Sequence, residues 1–159
     1  MSSPEISIAG PDQRREELSR RAVGAVITVA TAAVLLVAAY LDPDPAGVGT
    51  HEQLGLTPCG WMLAADMPCP TCGMTTAFAH AAEGNLLQSL RTQPLGACLA
   101  LATAMACLVG AFVATTGSRI GLMYRRLWTR RFIWILGTSV VVAWVYKIID
   151  HRVGFESLF

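Results

Sequence analysis

The sequence predicts an all-α integral membrane protein with three transmembrane helices and one short re-entrant or interfacial helix. Hydrophobic residues make up 53% of the 159 residues and charged residues only 14%, whereas soluble domains contain roughly 25% charged residues. Three long runs, 22–41, 95–116 and 132–149, contain at most one charged residue each. At about 1.5 Å per helical residue, each run is long enough to cross a hydrocarbon core of about 30 Å.

The first run separates a polar tail from a single membrane domain. Residues 1–21 are predicted to be a cytoplasmic tail, in which 12–21 forms a short helix on the membrane surface, and 22–159 is the membrane domain. The run has no polar face, which argues against a buried helix of a soluble protein. It ends at Asp42-Pro43-Asp44-Pro45, because proline cannot continue a helix.

The segment 42–93, called the cysteine segment below, is predicted to lie between the first two spans. Its first part, 42–69, is rich in glycine, proline and acidic residues and is expected to be a loop. A helix is predicted over 70–83, with Pro70 at its first position and Cys69 or Thr71 as its cap. At roughly 20 Å this helix is too short to cross a bilayer. A second helix is expected to start at Asn85, with Gln88 three residues later.

The last two spans contain residues whose roles the pattern also suggests. Cys98 and Cys107 lie inside the second span and are interpreted as ordinary small core residues. Trp144 and Tyr146 are expected at the membrane interface near the end of the third span, where amphipathic rings are favoured. Lys147, in the same stretch, is expected to extend its charged end toward water.

The arginines predict the orientation. Of twelve basic residues eleven are arginine. Four precede the first span and five lie between the last two: Arg14, Arg15, Arg20 and Arg21, then Arg119, Arg125, Arg126, Arg130 and Arg131. The positive-inside rule therefore predicts a membrane protein whose N-terminus is in the cytoplasm and whose cysteine segment and C-terminus are outside. Disulfides persist in that outer compartment. The net charge of +1 gives no support for a nucleic-acid partner.

A metal site is the first of four hypotheses for Cys59, Cys69 and Cys72. Cys69 and Cys72, followed by a glycine, resemble the knuckle that binds zinc or iron in rubredoxin-like folds. Tetrahedral zinc needs four ligands, so three thiolates leave one position open. His80 follows Cys72 by about 12 Å of helix and is too far to share its ion. His51 is therefore the better fourth ligand.

The other three hypotheses need no metal. Thiol–disulfide exchange would use Cys69 or Cys72 as the attacking thiol and Cys59 as the relay, since a helix N-terminus lowers a thiol pKa. A structural disulfide could join Cys59 to Cys69 or Cys72. Finally, all three thiols could be reduced and serve only in packing.

A polar line follows the second thiol along the predicted short helix. Cys72, Thr76, His80 and Glu83 share one helical face. This face is either the wet side of an interfacial helix or the lining of a cavity, in which His80 and Glu83 move protons or bind a cation. No Ser-His-Asp constellation, phosphate-binding glycine loop or paired-carboxylate pattern is evident in the sequence.

Several of these residues together resemble a family of small bacterial membrane proteins of unknown function. The resemblance consists of Cys59, the string Pro-Cys-Pro-Thr-Cys-Gly-Met-Thr at 68–75, Gly84-Asn85 and Gln93-Pro94-Leu95. It covers roughly 59–100 and, more loosely, 144–147. It implies an integral membrane protein with a cysteine-bearing re-entrant or interfacial helix, and it implies no substrate. Many members have arginine where this chain has Thr76, so the role of that arginine does not transfer.

The function predicted first is non-enzymatic: a membrane scaffold or accessory protein whose three cysteines form a metal or disulfide staple, with zinc as the possible metal. One alternative is a membrane thiol–disulfide oxidoreductase. The other is a transport accessory that uses Thr76, His80 and Glu83. The expected surroundings are the lipid bilayer and a protein partner that the sequence does not identify.

Overall fold

The computed structural model describes residues 10–120 and 130–153, without the side chains of Arg130 and Arg131. Six α-helices and one 3₁₀ helix follow in chain order: α1 (Pro11–Tyr40), the 3₁₀ helix (Thr50–Leu54), α2 (Gly60–Ala65), α3 (Met74–Ala82), α4 (Leu86–Thr92), α5 (Pro94–Thr116) and α6 (Arg130–Val153). These residues contain no β-strand. Residues 1–9, Arg125, Arg126 and 154–159, to which the sequence assigned tails and a connection, lie outside the described part.

Three of the helices, α1, α5 and α6, are long and apolar enough to cross a membrane. They correspond to the three runs that the sequence predicts, so the predicted fold class is confirmed. The prediction of a separate short helix at 12–21 on the membrane surface is wrong, because these residues form one unbroken helix with the first span. The sequence between Pro11 and Tyr40 contains no further proline that would interrupt it.

Close packing of α1 against α5 depends on small residues. A Cβ atom on Gly24 would lie 2.7 Å from the backbone nitrogen of Ala114 and 2.8 Å from the carbonyl oxygen of Gly110. The backbones can approach this closely only because neither glycine has a side chain. At the same end of the bundle, Nε of Arg20 donates to the carbonyl of Gly117, 3.1 Å away. The start of α1 and the end of α5 are thereby held together.

The short helix begins later than predicted. It starts at Met74 rather than Pro70, because Gly73 has a φ of +81° and interrupts any helix across 70–74. Pro70 therefore lies in a turn, closed by the N–H of Cys72 donating to the carbonyl of Cys69 at 3.0 Å. The predicted start at Asn85 is confirmed, since its side chain accepts a hydrogen bond from the N–H of Gln88.

The two halves of α6 differ in burial. Trp134 and Ile135, in the first half, are 71% and 64% exposed, whereas Ala143, Lys147 and Asp150 are buried. The expectation that Lys147 reaches toward water is wrong: its Nζ lies 3.0 Å from a carboxylate oxygen of Asp150, inside the protein. Pairing with an acid one turn away permits this burial of charge.

Candidate metal centre

The fold gathers three sulfur atoms from two separate stretches. Cys59 is the residue that caps the N-terminus of α2, and Cys69 and Cys72 lie in the turn before α3. All three Sγ atoms lie within 4.8 Å of one another, with 3.3 Å between those of Cys69 and Cys72. Zn–S bonds of about 2.3 Å in a tetrahedral site place sulfurs about 3.8 Å apart. The observed spacing therefore suits a shared metal ion after small side-chain adjustments.

Hydrogen bonds within the turn at 69–72 hold the Sγ atoms of Cys69 and Cys72 close together. The N–H of Cys69 donates to Sγ of Cys72 at 3.3 Å, and Oγ1 of Thr71 lies 3.2 Å from Sγ of Cys69. Gly73 then takes the left-handed conformation that favours glycine. A Cβ atom there would lie 2.8 Å from the carbonyl oxygen of Gly47. The glycine after the second cysteine thus lets the chain turn and lets the preceding loop approach.

Neighbouring helices hold the same turn from behind. The indole N–H of Trp144 in α6 donates to the carbonyl of Pro68 at 2.9 Å. The amide Nε2 of Gln93, just before α5, donates to the carbonyl of Pro70 at 3.3 Å. These two bonds fix the backbone carbonyls on either side of Cys69.

The three thiols differ in acidity. Burial is the main cause that raises the pKa of Cys72 to about 12, and hydrogen bonds with Cys69 and Cys59 raise it further. Burial also raises the pKa of Cys59, but hydrogen bonds from the backbone at Met62 and Trp61 and from the other two thiols outweigh it and lower the pKa to about 7. Cys59 is therefore the thiol most readily present as thiolate near neutral pH.

A cavity of about 580 Å³ opens beside the sulfurs. His51 lines this cavity together with the three cysteines, but it is not a member of the group whose ligand atoms lie within 4.8 Å. Its Nε2 lies 3.2 Å from the carbonyl oxygen of Thr57. Thr76 lines the cavity as well and is buried, with its hydroxyl 2.8 Å from that of Thr50. The interpretation that this polar line faces water is therefore wrong for Thr76.

The remaining residues singled out by the sequence lie away from the sulfurs. His80 and Glu83 do not line this cavity, and Nδ1 of His80 lies 3.7 Å from a carboxylate oxygen of Glu83. Cys98 is exposed on α5. Sγ of Cys107 lies 3.9 Å from the carbonyl oxygen of Thr28 in α1, consistent with the packing role expected of it.

Sequence reasoning did not assign Trp144, Gln93 or Gly47 to the cysteine site. Trp144 and Gln93 donate side-chain hydrogen bonds to backbone carbonyls of the turn, and Gly47 approaches it with its own carbonyl; such contacts leave no characteristic spacing in the sequence. The only indication in the sequence was the family resemblance, which includes Gln93-Pro94-Leu95 and, more loosely, residues 144–147.

Residues 59–107 match the model of a family described as "Protein of unknown function (DUF2752)". The match includes all three cysteines of the site, so the resemblance to a family of unknown function is confirmed. Comparison with curated proteins and with solved structures gives no match.

Proposed function

We propose that the protein is a non-enzymatic membrane scaffold or accessory protein in which Cys59, Cys69 and Cys72 bind one thiophilic metal ion, with zinc the leading candidate. The observation that supports this most is the gathering of three Sγ atoms within 4.8 Å of one another. Soft thiolate ligands favour zinc, Cu(I) and iron–sulfur centres over Mg²⁺ or Ca²⁺. The glycine that follows the second cysteine in the turn also suits a metal knuckle.

The ion would act as a staple within the cysteine segment. It would join the start of α2 to the turn before α3, two stretches that the covalent chain connects only through residues 60–68. Metal binding to a site that the unfolded chain lacks contributes directly to folding free energy. We assign the fourth ligand position to His51, because it lines the same cavity. Its ring would exchange its contact with the carbonyl of Thr57 for the metal.

We further propose that this site lies on the outer side of a bacterial cytoplasmic membrane. Support comes from the arginines, which cluster in the N-terminal part of α1 and after α5 in the sequence, and from the contact of Arg20 with the carbonyl of Gly117 that joins those two regions. The positive-inside rule then places the opposite end of the bundle outside. α3 has nine residues, so it would lie at the outer interface or enter the bilayer only partway.

Metal analysis of the purified full-length protein tests the proposal. In detergent, after expression in medium with zinc, we expect one metal ion per chain by elemental mass spectrometry. Cys59→Ser should reduce this ratio to near zero, whereas Cys98→Ser, on the exposed face of α5, should leave it unchanged. Wild-type protein without metal, or full metal content in Cys59→Ser, would contradict the proposal.

A thiol–disulfide oxidoreductase is the second candidate, favoured by the 3.3 Å between Sγ of Cys69 and Sγ of Cys72. In this scheme a substrate dithiol is oxidised to its disulfide while the Cys69–Cys72 disulfide is reduced, so two electrons and two protons pass to the protein. Cys59 would relay the electrons onward to an oxidant disulfide. Acid-quenched Cys72→Ser protein should then contain a mixed disulfide with substrate that Cys69→Ser protein lacks.

A further inference from the structure

We propose that helix α6 is a functional part of the cysteine centre: Trp144 holds the turn at 69–72 in its metal-binding shape, so metal binding and docking of the outer half of α6 favour each other. This inference rests on the proposed metal-binding function and adds a positioning residue and a conformational consequence to it. The outer half of α6 is the part from Ala143 to Val153.

Two contacts of α6, and the position of Lys147, fall beside the cysteines. Trp144 donates to the carbonyl of Pro68, which is fully buried and directly precedes Cys69. Cε of Lys147 would lie 3.4 Å from a Cβ on Gly73, which directly follows Cys72. The ring of Trp61, two residues after Cys59, meets Trp144 edge-on with centroids 5.9 Å apart. Cys59 and Cys69 are therefore each within two residues of a contact with Trp144 of α6.

The outer half of α6 has further contacts with the cysteine segment. The hydroxyl of Tyr146 donates to the carbonyl of Arg91 at 2.7 Å, and Nε2 of His151 lies 3.5 Å from a carboxylate oxygen of Asp66. Both partners belong to the cysteine segment. The first half of α6, by contrast, is largely exposed. The outer half of α6 thus has several polar contacts with the cysteine segment, and the helix also packs against α5.

Thermodynamic linkage follows from these contacts. If the docked helix stabilises the metal-binding turn, then a bound metal must stabilise the docked helix by the same factor. Removing the indole N–H leaves the buried carbonyl of Pro68 without its donor, which disfavours the present shape of the turn. From the usual cost of such a loss we expect metal affinity to fall about tenfold.

Lys147 offers a direct readout of docking. It is the single lysine of the chain, it is 3% exposed, and its Nζ is paired with Asp150. An amine-specific acetylating reagent can therefore modify Lys147 only when the outer half of α6 leaves its site. Mass spectrometry of the peptide that contains Lys147 distinguishes this product from a modified N-terminus.

The experiment uses full-length protein in detergent, with Zn²⁺ alone or with a chelator as the two conditions. For the wild type we expect zinc to slow acetylation of Lys147 at least about fivefold, consistent with a coupling of typical size. Trp144→Phe keeps an aromatic ring but loses the N–H, and should bind zinc about tenfold more weakly, with an altered thiolate-to-metal absorption band when Co²⁺ replaces zinc. Trp134→Phe, on the exposed half of the same helix, is the matched control and should behave as the wild type.

A further variant keeps the test decisive if Trp144→Phe fails to fold. Cys59→Ser leaves α6 untouched, so it should abolish the effect of zinc on acetylation of Lys147. Equal acetylation with and without zinc in a wild type that does bind zinc would overturn the linkage while sparing the proposed metal site. A wild type that binds no zinc would overturn both.

Discussion

Replacing Gly73 by alanine perturbs the cysteine centre without removing a ligand. Gly73 has a φ of +81°, and an added Cβ would lie 2.8 Å from the carbonyl oxygen of Gly47. Because this neighbour is a backbone atom, it cannot move aside by changing a rotamer. The substitution must therefore shift either the turn at 69–72 or the loop that contains Gly47. A shift of the turn displaces Cys72, which directly precedes Gly73, from the other two sulfurs.

Gly84→Ala provides the matched control. Gly84 has nearly the same backbone angle, φ +83°, but a Cβ there would meet no atom within 4 Å. Both substitutions should lose about 1–2 kcal/mol because an L-residue is strained in the left-handed conformation. Gly73→Ala has the additional cost of the contact with Gly47. We therefore expect Gly73→Ala to be the more destabilising of the two by at least about 1 kcal/mol, within the usual range for overpacked sites.

The effect on metal binding should separate the two variants more clearly than the effect on stability. Zinc affinity, measured by competition with a chromophoric chelator, should fall about tenfold or more in Gly73→Ala, since about 1.4 kcal/mol corresponds to a factor of ten. It should stay within about twofold of wild type in Gly84→Ala. Equal affinities in the two variants would refute the argument that the approach of Gly47 to the turn shapes the metal site.

Three further predictions concern the packing of α1 against α5, the acidity of the thiols, and Cys98 of α5. Gly24→Leu should destabilise the α1–α5 pair by about 1–3 kcal/mol through overpacking, measured by thermal unfolding in detergent, whereas Gly137→Leu, whose Cβ meets nothing within 4 Å, should have little effect. In metal-free protein, iodoacetamide should modify Cys59 fastest, with a rate that rises through pH about 7 and then levels off as thiolate forms, while Cys72 should react slowest because its pKa is raised to about 12. Cys98→Ser should leave both the zinc affinity and the reactivity of Cys59 unchanged, measured by competition and by peptide mass spectrometry.

Each of these predictions has an outcome that contradicts it. Equal melting temperatures for Gly24→Leu and Gly137→Leu would show that α1 and α5 do not pack at this contact. An alkylation rate of Cys59 that rises only above pH 9, the ordinary thiol pKa, would show that its hydrogen bonds do not stabilise the thiolate. Loss of zinc in Cys98→Ser would extend the site beyond the three gathered sulfurs.

Hydrophobic runs and helix-end residues were sufficient to predict most of the fold. A run of twenty uncharged residues favours a membrane-spanning helix. Asn85 is a typical N-cap and starts α4, and Gly117 is a typical helix-ending glycine and closes α5. The start of α3 was placed four residues too early because proline suits a helix start as well as a turn. The left-handed Gly73 decides between them, and it packs closely against the carbonyl of Gly47, which is distant in sequence.

For the candidate site, the spacing of Cys69 and Cys72 was sufficient to predict that these two thiols are close. That Cys59 joins them depends on the path of 60–68, which includes a short helix where a loop was expected. The burial of Lys147 was missed because a lysine near the end of a span ordinarily reaches water. Its actual place reflects the tertiary packing of α6 on the cysteine segment and its pairing with Asp150.

The central claim is that three sulfurs of this chain share one metal ion. X-ray absorption at the zinc edge of the metal-loaded, full-length protein tests it most directly. We expect a shell of three sulfur atoms at about 2.3 Å and one lighter ligand at about 2.0–2.1 Å. A first shell made only of nitrogen and oxygen atoms would contradict it.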